Sequence, residues 1–380
     1  MPAVTHNPQG SIPVCSPTLD GAERAYALDC IDANWISSTG EYIPRFERMF
    51  AERCGATHGV ACCNGTAALH LALETLDIGP GDEVIIPSFT LIVSANVVCW
   101  TGATPVLVDV KSDTWCIDER LIETKITPRT RAIMIVHMYG HPCEMDEICA
   151  IARRHGLYVI EDAAQAHGAK YHGRTVGGIG DVGCFSFYGN KIITTGEGGM
   201  LLTNDPSLAE RAALLRNQAF GEERFDHHHV GFNYRMTNIQ AAIGCAQCER
   251  WDEKVARKRE LAAEYDRLFA DEGTLQLPVE ADGCQSVYWM YGVVLKDDFG
   301  RSKNDVCAQL AAAGVETRPF FTPMNRQPVF QGSHRRWPDL RGSYPVSERL
   351  GERGFYLPSG LDLTREEQAY IAEQLLACKR

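Results

Sequence analysis

Short apolar runs recur along the first two thirds of the chain, and amphipathic stretches separate them. Seven runs are compact, rich in Val, Ile and other apolar residues, and close to Gly, Pro, Asp or Asn: 59–63, 83–87, 105–109, 132–137, 157–161, 184–187 and 199–203. Alternation of strands with helices is typical of a mostly parallel sheet with crossover helices. We therefore predict a large α/β domain built on a seven-stranded sheet.

The helical patterns divide the chain into two parts. Residues 66–76 and 145–155 carry Leu or Ile at helical spacing and are predicted to be crossover helices. A long helical pattern runs from 238 to about 269, and the strand-like segments 286–295 and 315–321 flank another helix. We assign residues 1–248 to the large domain and 249–380 to a smaller α+β domain, and expect the two to pack as one unit.

Composition limits the possible partners and compartments. A net charge of -12 disfavours nucleic acid and anionic membranes as main partners. No apolar run approaches the roughly 20 residues of a membrane-spanning helix. Residues 1–7 show no basic segment leading into an apolar one, so the 15 cysteines are expected to be reduced and mostly buried. We predict a cytoplasmic enzyme.

Two residues near predicted strand ends indicate the chemistry. Lys191 follows the strand at 184–187, and Asp162 follows the strand at 157–161. Pyridoxal 5′-phosphate (PLP) chemistry requires a lysine that forms a Schiff base and a carboxylate that keeps the pyridine nitrogen protonated. An Asp after a strand is more often a turn residue, but ligands of α/β sheets also bind at this edge. The pair predicts a PLP site, in which Gln165 could bond the phenolic oxygen.

Further residues could complete such a site. Gly65 and Thr66 lie where a strand ends and a helix begins, so backbone N–H groups there could receive a phosphate, although Asn64 or Thr66 could simply cap the helix. Ser186 could reach the same phosphate or lie buried in its strand. Phe89 could stack on the pyridine ring, although an aromatic residue at such a position is by default core.

Three motifs suggest other functions but lack the context that those functions need. The glycines at 178, 180 and 183 match a dinucleotide fingerprint by letter, yet they precede a strand and do not open a helix. Cys245 and Cys248 lie three residues apart in a helical pattern with no second pair, which favours packing over zinc or redox work. No nearby Cys or carboxylate completes a metal-ligand set with the histidines at 227–229, so we predict a loop near the site and no metal.

The chain resembles the DegT/DnrJ/EryC1/StrS family of sugar aminotransferases over almost its whole length. The segments that carry the resemblance are 35–38 (WISS), 63–73 (CNGTAALHLAL), 137–142 (HMYGHP), 185–191 (FSFYGNK) and 231–238 (GFNYRMTN). Within the family it is most similar to members that aminate GDP-4-keto-6-deoxymannose. The resemblance implies a PLP-dependent transferase of fold type I that works as a homodimer with active sites at the subunit interface.

The same resemblance implies a role for each matched residue. Lys191 would form the Schiff base and move a proton between donor and cofactor, and Asp162 would pair with the pyridine nitrogen. Gln165 would contact the ring oxygen. The phosphate would be bound by Gly65, Thr66 and Ser186, and by Asn233 of the neighbouring subunit. The expected donor is L-glutamate, and the expected acceptor is a nucleotide-linked keto sugar.

Two observations bear on the reaction and its substrate. One is the presence of Lys191, and the other is a set of positions at which the chain differs from the family members that it most resembles. Related dehydratases carry His at the lysine position, so Lys191 favours transamination. Gln165 replaces a usual Glu, residues 225–229 replace a more aromatic segment, and Asn325 replaces a usual His. Arg318 could meet a substrate phosphate or the donor carboxylate, or form a structural ion pair. With His227 and Asn325 it is a candidate substrate contact.

Two alternatives remain open from the sequence. The acceptor could be a dTDP- or UDP-linked keto sugar aminated at C3 or C4, or a keto-cyclitol. The protein could also bind PLP without turnover, as a regulatory protein. Against the second reading stand Lys191 and Asp162, and no appended DNA-binding module or basic stretch is visible.

Overall fold

The computed structural model describes residues 10–221, 223, 225–332, 334 and 336–379. Residues 1–7, on which the prediction about an export signal depends, lie outside this set. Within the part of the chain that is described, no helix is both long enough and apolar enough to cross a membrane.

The central sheet has seven strands from the first 203 residues. They are β1 (His58–Cys62), β2 (Glu83–Pro87), β3 (Thr104–Val108), β4 (Thr130–Val136), β5 (Tyr158–Asp162), β8 (Val182–Ser186) and β9 (Gly199–Thr203), and β6 (Lys170–Tyr171) and β7 (Arg174–Thr175) lie outside the sheet. The order is β1-β9-β8-β5-β4-β2-β3. Only β9 runs antiparallel to its two neighbours. The predicted mostly parallel α/β sheet is confirmed.

Helices cover the sheet and connect its strands. They are α1 (Glu23–Asp32), α2 (Tyr42–Cys54), α3 (Gly65–Thr75), α4 (Val93–Trp100), α5 (Glu119–Ile122), α6 (Met145–His155), α7 (Pro206–Arg216), α8 (Asn238–Glu249), α9 (Trp251–Leu268), α10 (Lys303–Ala312), α11 (Pro345–Arg353) and α12 (Arg365–Ala377). The start of α3 is fixed by Asn64, whose side chain accepts the Ala67 N–H at 2.8 Å. The predicted crossover helices at 66–76 and 145–155 correspond to α3 and α6.

The long helix predicted from 238 to 269 is wrong in one respect, because the chain forms α8 and α9 with a break between them. Arg250 leaves the helical region, with φ -107° and ψ 19°. The change of direction seats Trp251 against Phe50, with ring centroids 5.3 Å apart. Aromatic packing of this kind is a tertiary effect that helical periodicity does not reveal.

A second sheet lies in the C-terminal part of the chain. It contains β10 (Leu275–Gln276), β12 (Tyr291–Leu295), β13 (Arg318–Pro319) and β14 (Gly354–Leu357), all antiparallel, whereas β11 (Cys284–Gln285) pairs with β6. The strand predicted at 286–295 begins only at Tyr291, because Tyr288 has a positive φ of 47°. The segment 315–321 is a strand only at β13, where Pro319 lacks an N–H. A domain boundary between 248 and 249 stays a prediction.

A buried carboxylate organises the end of β5. Glu161 accepts the N–H groups of Gly177, Ile179 and Gly180 at 2.7, 2.8 and 2.6 Å, and its other partner is His137 Nε2 at 3.0 Å. His137 Nδ1 accepts the Cys143 N–H, so a neutral His137 donates from Nε2. Burial opposes the charged form, but these donors hold the pKa of Glu161 below its ordinary value.

The dinucleotide-like glycines lie beside this carboxylate. A Cβ at Gly183 would come within 2.0 Å of the Gly177 carbonyl oxygen, and one at Gly178 within 2.4 Å of the Cys54 carbonyl oxygen. The glycines therefore allow close backbone packing around the Glu161 donors. The loop has a structural explanation that involves no nucleotide.

We expect Glu161→Gln to lower the free energy of unfolding by about 3 kcal/mol, because it leaves buried donors without a charged acceptor. Since the folded-state pKa is lowered, the carboxylate stabilises the fold above its unfolded pKa, and this contribution is lost as the pH falls through the folded value. Urea unfolding should therefore show a difference from wild type at pH 7 that shrinks in acid. Exposed Glu210→Gln is the control, and equal stability of the two variants would contradict this account.

Candidate active site

A cavity of about 430 Å³ opens where β5 and β8 end and α3 begins. Six residues predicted from the sequence line it together: Gly65, Thr66, Asp162, Gln165, Ser186 and Lys191. Asn64, Leu69, Leu91, Val93, Ala164, Tyr188, Asn190, Glu197, Trp289, Phe321 and Tyr356 complete the wall. The position matches the expected ligand edge of an α/β sheet.

Lys191 follows β8 through a turn in which its N–H donates to the Tyr188 carbonyl oxygen at 2.9 Å. Its Nζ lies 3.6 Å from the centroid of the Trp289 ring. Burial lowers the pKa of Lys191 to about 7, while the charges of Asp162 and Cys15 oppose the shift. An amine that is half ionised near neutral pH can both accept and donate a proton.

Asp162 is the last residue of β5 and faces the cavity, whereas the prediction placed it just beyond the strand. Its carboxylate is buried and accepts the Ala164 N–H at 3.1 Å, the only hydrogen bond to it among the described residues. Burial raises the pKa of Asp162, and the Ala164 N–H and the charge of Lys191 act against the rise. A buried carboxylate with so few donors suits a cationic partner in the cavity.

The start of α3 forms a pocket for an anion. In the described chain, the Ala67 N–H bonds to Asn64, whereas the N–H groups of Gly65 and Thr66 have no protein acceptor. A Cβ at Gly65 would lie 2.6 Å from the Cβ of Ser186, so only glycine lets this serine approach the helix. Free N–H groups, a helix dipole and a hydroxyl therefore converge on one point.

Gln165 lines the cavity, and a backbone hydrogen bond fixes its side chain. Its Oε1 accepts the N–H of Tyr139 at 2.8 Å, and Tyr139 has a positive φ of 50°. The carboxamide oxygen is therefore occupied, and Nε2 is the group left to donate to a ligand.

Phe89 does not reach the cavity. Its side chain is fully buried, and its ring packs against Phe320 at 5.7 Å and Phe321 at 6.2 Å. The prediction that Phe89 stacks on the pyridine ring is therefore corrected. Leu91, two residues further on, lines the cavity instead. Phe89 is a core residue.

The other predicted contacts also lie outside the wall of this cavity. Asn233 and His227 are exposed, and Arg318 on β13 is exposed and pairs with Glu316 at 2.5 Å. Asn325 is buried, and its Nδ2 donates to the Gly342 carbonyl oxygen and to Glu348, at 2.9 and 2.7 Å. Its Oδ1 is buried and has no hydrogen-bond partner among the described residues, so contact of Asn325 with substrate stays a prediction.

Sequence reasoning missed the part of the wall that the C-terminal half supplies. Trp289, Phe321 and Tyr356 reach the cavity from that half. The aromatic run at 288–291 is the only local signal for Trp289, and such runs usually indicate core packing.

Among the described residues, no group of three or more His, Cys, Asp or Glu is arranged to hold a metal ion. Cys245 and Cys248 are buried in α8, and the Cys245 thiol donates to the Tyr42 carbonyl oxygen at 3.7 Å. His227 packs against Phe220, with ring centroids 5.0 Å apart.

Comparison with known proteins matches nearly the whole chain to one protein family. The sequence model of the DegT/DnrJ/EryC1/StrS aminotransferase family matches residues 17–376. A GDP-perosamine synthase of Caulobacter vibrioides is 49% identical over 358 residues, 94% of this chain and 95% of that protein. One of Escherichia coli O157:H7 is 43% identical over 365 residues, covering 96% and 97%. The structure of S. venezuelae DesV in complex with a ketimine intermediate has a TM-score of 0.88, 37% identity and 94% coverage of each chain.

We expect the Lys191 amine of the cofactor-free protein to be acetylated with a pH midpoint near 7, well below the ordinary 10.5. Asp162→Asn should lower the midpoint further, because the carboxylate favours the charged amine. Competitive labelling followed by mass spectrometry measures both values. A midpoint near 10 would show that the amine is hydrated like a surface lysine.

Proposed function

Because the chain belongs to the DegT/DnrJ/EryC1/StrS aminotransferase family, we propose that it transfers an amino group from L-glutamate to C4 of GDP-4-keto-6-deoxymannose, which yields GDP-perosamine. The protein is a PLP-dependent aminotransferase, and the family and reaction class predicted from the sequence are confirmed. The choice of acceptor is supported by the 49% identity to the GDP-perosamine synthase of C. vibrioides.

The cavity fits PLP at both ends. The free N–H groups of Gly65 and Thr66, with the Ser186 hydroxyl, suit its phosphate, and the Asp162 carboxylate suits a protonated ring nitrogen. The chemistry supplied by the bound cofactor is a carbonyl carbon for the amino group and a ring that stabilises negative charge. Lys191 lies on the same cavity wall and supplies the amine for covalent attachment.

In this proposal each cofactor contact has a distinct task. Lys191 Nζ binds the cofactor and later moves a proton from Cα of the donor, a task that suits an amine whose pKa is lowered by burial. Asp162 accepts a hydrogen bond from the ring nitrogen and keeps it cationic. Gln165 donates from Nε2 to the ring oxygen, because Tyr139 occupies its Oε1.

A second copy of the chain completes the proposed site. Leu28, Ile31, Trp35 and Ile36 are 46–55% exposed and form an apolar stretch of the kind found at subunit interfaces. Exposed Asn233 is proposed to reach the cofactor phosphate of the neighbouring subunit. Arg318 and His227 stay predicted substrate contacts, since a second subunit could bring the acceptor to them.

We expect PLP-loaded protein to lose the absorbance band of lysine-bound cofactor when L-glutamate is added. After removal of glutamate, GDP-4-keto-6-deoxymannose should restore the band, because the acceptor takes the amino group. Lys191→Ala is the control and should show no such band.

Other outcomes of this experiment separate the alternatives. Return of the band only with a dTDP- or UDP-linked keto sugar or a keto-cyclitol would replace the acceptor and keep the transaminase. If glutamate and other amino donors leave the band unchanged, the non-catalytic reading gains support and the proposed function fails.

We expect subunits with Lys191→Ala and Asn233→Ala to complement each other. A heterodimer would contain one site with native Lys191 and native Asn233, so its activity should be about half that of wild type, while each variant alone is impaired. Co-expression with two different tags allows the heterodimer to be purified and assayed. A heterodimer no more active than its parents would contradict the shared site.

A further inference from the structure

The ring of Trp289 forms a wall of the cavity directly against Lys191. Nζ of Lys191 lies 3.6 Å from the ring centroid. Tryptophan presents the most favourable aromatic face to an ammonium group, and the attraction grows when water is excluded. The contact joins the C-terminal part of the chain to the turn after β8.

Trp289 is fixed from several sides. Its indole N–H donates to the Asn190 carbonyl oxygen at 2.8 Å, immediately before Lys191. Its own carbonyl oxygen accepts from Nζ of buried Lys258 at 2.7 Å. The Tyr139 ring lies 6.3 Å away in a nearly parallel orientation. With the side chain only 4% exposed, the ring has little freedom to move away from the amine.

We propose that Trp289 is a positioning residue that holds the free amine of Lys191 over the cavity while the lysine is not bonded to the cofactor. This inference rests on the proposed function, because it assumes that Lys191 is the cofactor lysine. A lysine side chain loses much rotamer freedom when it is held in one place. The indole face and its hydrogen bond to Asn190 restrict the amine to the position from which it acts.

Among the described residues, the ionisable groups that line the cavity with this amine are Asp162, Tyr188, Glu197 and Tyr356. Asp162 and Cys15 favour its charged form, and the charge of Lys191 disfavours protonation of buried His167. Burial lowers the pKa of His167 to about 3, so it is neutral at working pH. Replacing the uncharged ring of Trp289 therefore changes the aromatic contact and leaves the formal charges unaltered.

The test uses full-length protein loaded with pyridoxamine 5′-phosphate, in which the Lys191 amine is free. Competitive acetylation over a range of pH, with mass spectrometry of the Lys191 peptide, gives the midpoint of its titration. We expect the midpoint to fall by about half a pH unit in Trp289→Phe and by about one unit in Trp289→Leu, since the attraction for the charged amine weakens stepwise.

Trp251→Leu is the matched control, because Trp251 is equally buried but its ring packs on Phe50 and neutral His167 and not under the Lys191 amine. A merely structural role predicts the same midpoint in all variants, and that result would overturn the proposal. So would an equal shift in Trp251→Leu. If Trp289→Leu does not fold, Trp289→Phe decides: a fall supports the contact, and an unchanged midpoint overturns it.

A separate measurement tests the assumption beneath the proposal. Borohydride reduction of the PLP-loaded protein should fix the cofactor on Lys191, as mass spectrometry can show. Fixation on another lysine would refute the proposed role of Lys191, whereas an unchanged titration midpoint with fixation on Lys191 would refute only the role of Trp289.

Discussion

The buried carboxylate of Glu161 connects the parts of the sheet edge on which the site depends. Consecutive residues of a strand point to opposite faces, so Glu161 turns away from the cavity while Asp162 turns into it. Glu161 fixes the loop at 177–180 through three N–H groups. That loop leads into β8, which ends at Ser186 in close contact with Gly65. One satisfied buried charge thus helps to align the anion pocket with the acidic end of the cavity.

The features that local sequence could predict are those that depend on neighbours along the chain. Each strand of the central sheet is a short apolar run, and the predicted bounds lie within two residues of the observed ones. Lys191, Asp162 and Gly65 lie at or just after strand ends, so the topology of the sheet alone brings them together. The break at Arg250 and the shortening of β13 depend on tertiary packing and on Pro319, and periodicity carried no sign of them.

The cavity wall shows the same division. Phe89 and Leu91 lie in one segment after β2, and only the packed structure reveals which of them reaches the cavity. Tyr356 lies on β14 of the second sheet and Trp289 lies two residues before β12, and the docking of this sheet against the first has no local signature. The glycines at 178, 180 and 183 resemble a nucleotide-binding motif, although their role here is structural. Backbone N–H groups that surround a carboxylate require glycine for the same reason as those that surround a phosphate, because the backbone must come close.

The balance of charge around Lys191 explains why the ring of Trp289 has more effect on the protonation of the amine when the proposed cofactor is bound. Burial favours the neutral amine, and in the protein without cofactor the Asp162 carboxylate is the main opposing group. A carboxylate paired with a cationic ring nitrogen offers a lysine much less net attraction. In the proposed site more of the amine is then unprotonated at neutral pH, while the face of Trp289 and the charge of Cys15 still favour its protonated form. Burial thus favours the neutral amine and the indole face favours the protonated one. An amine balanced between these two forms can remove a proton from one atom and return it to another without leaving its place.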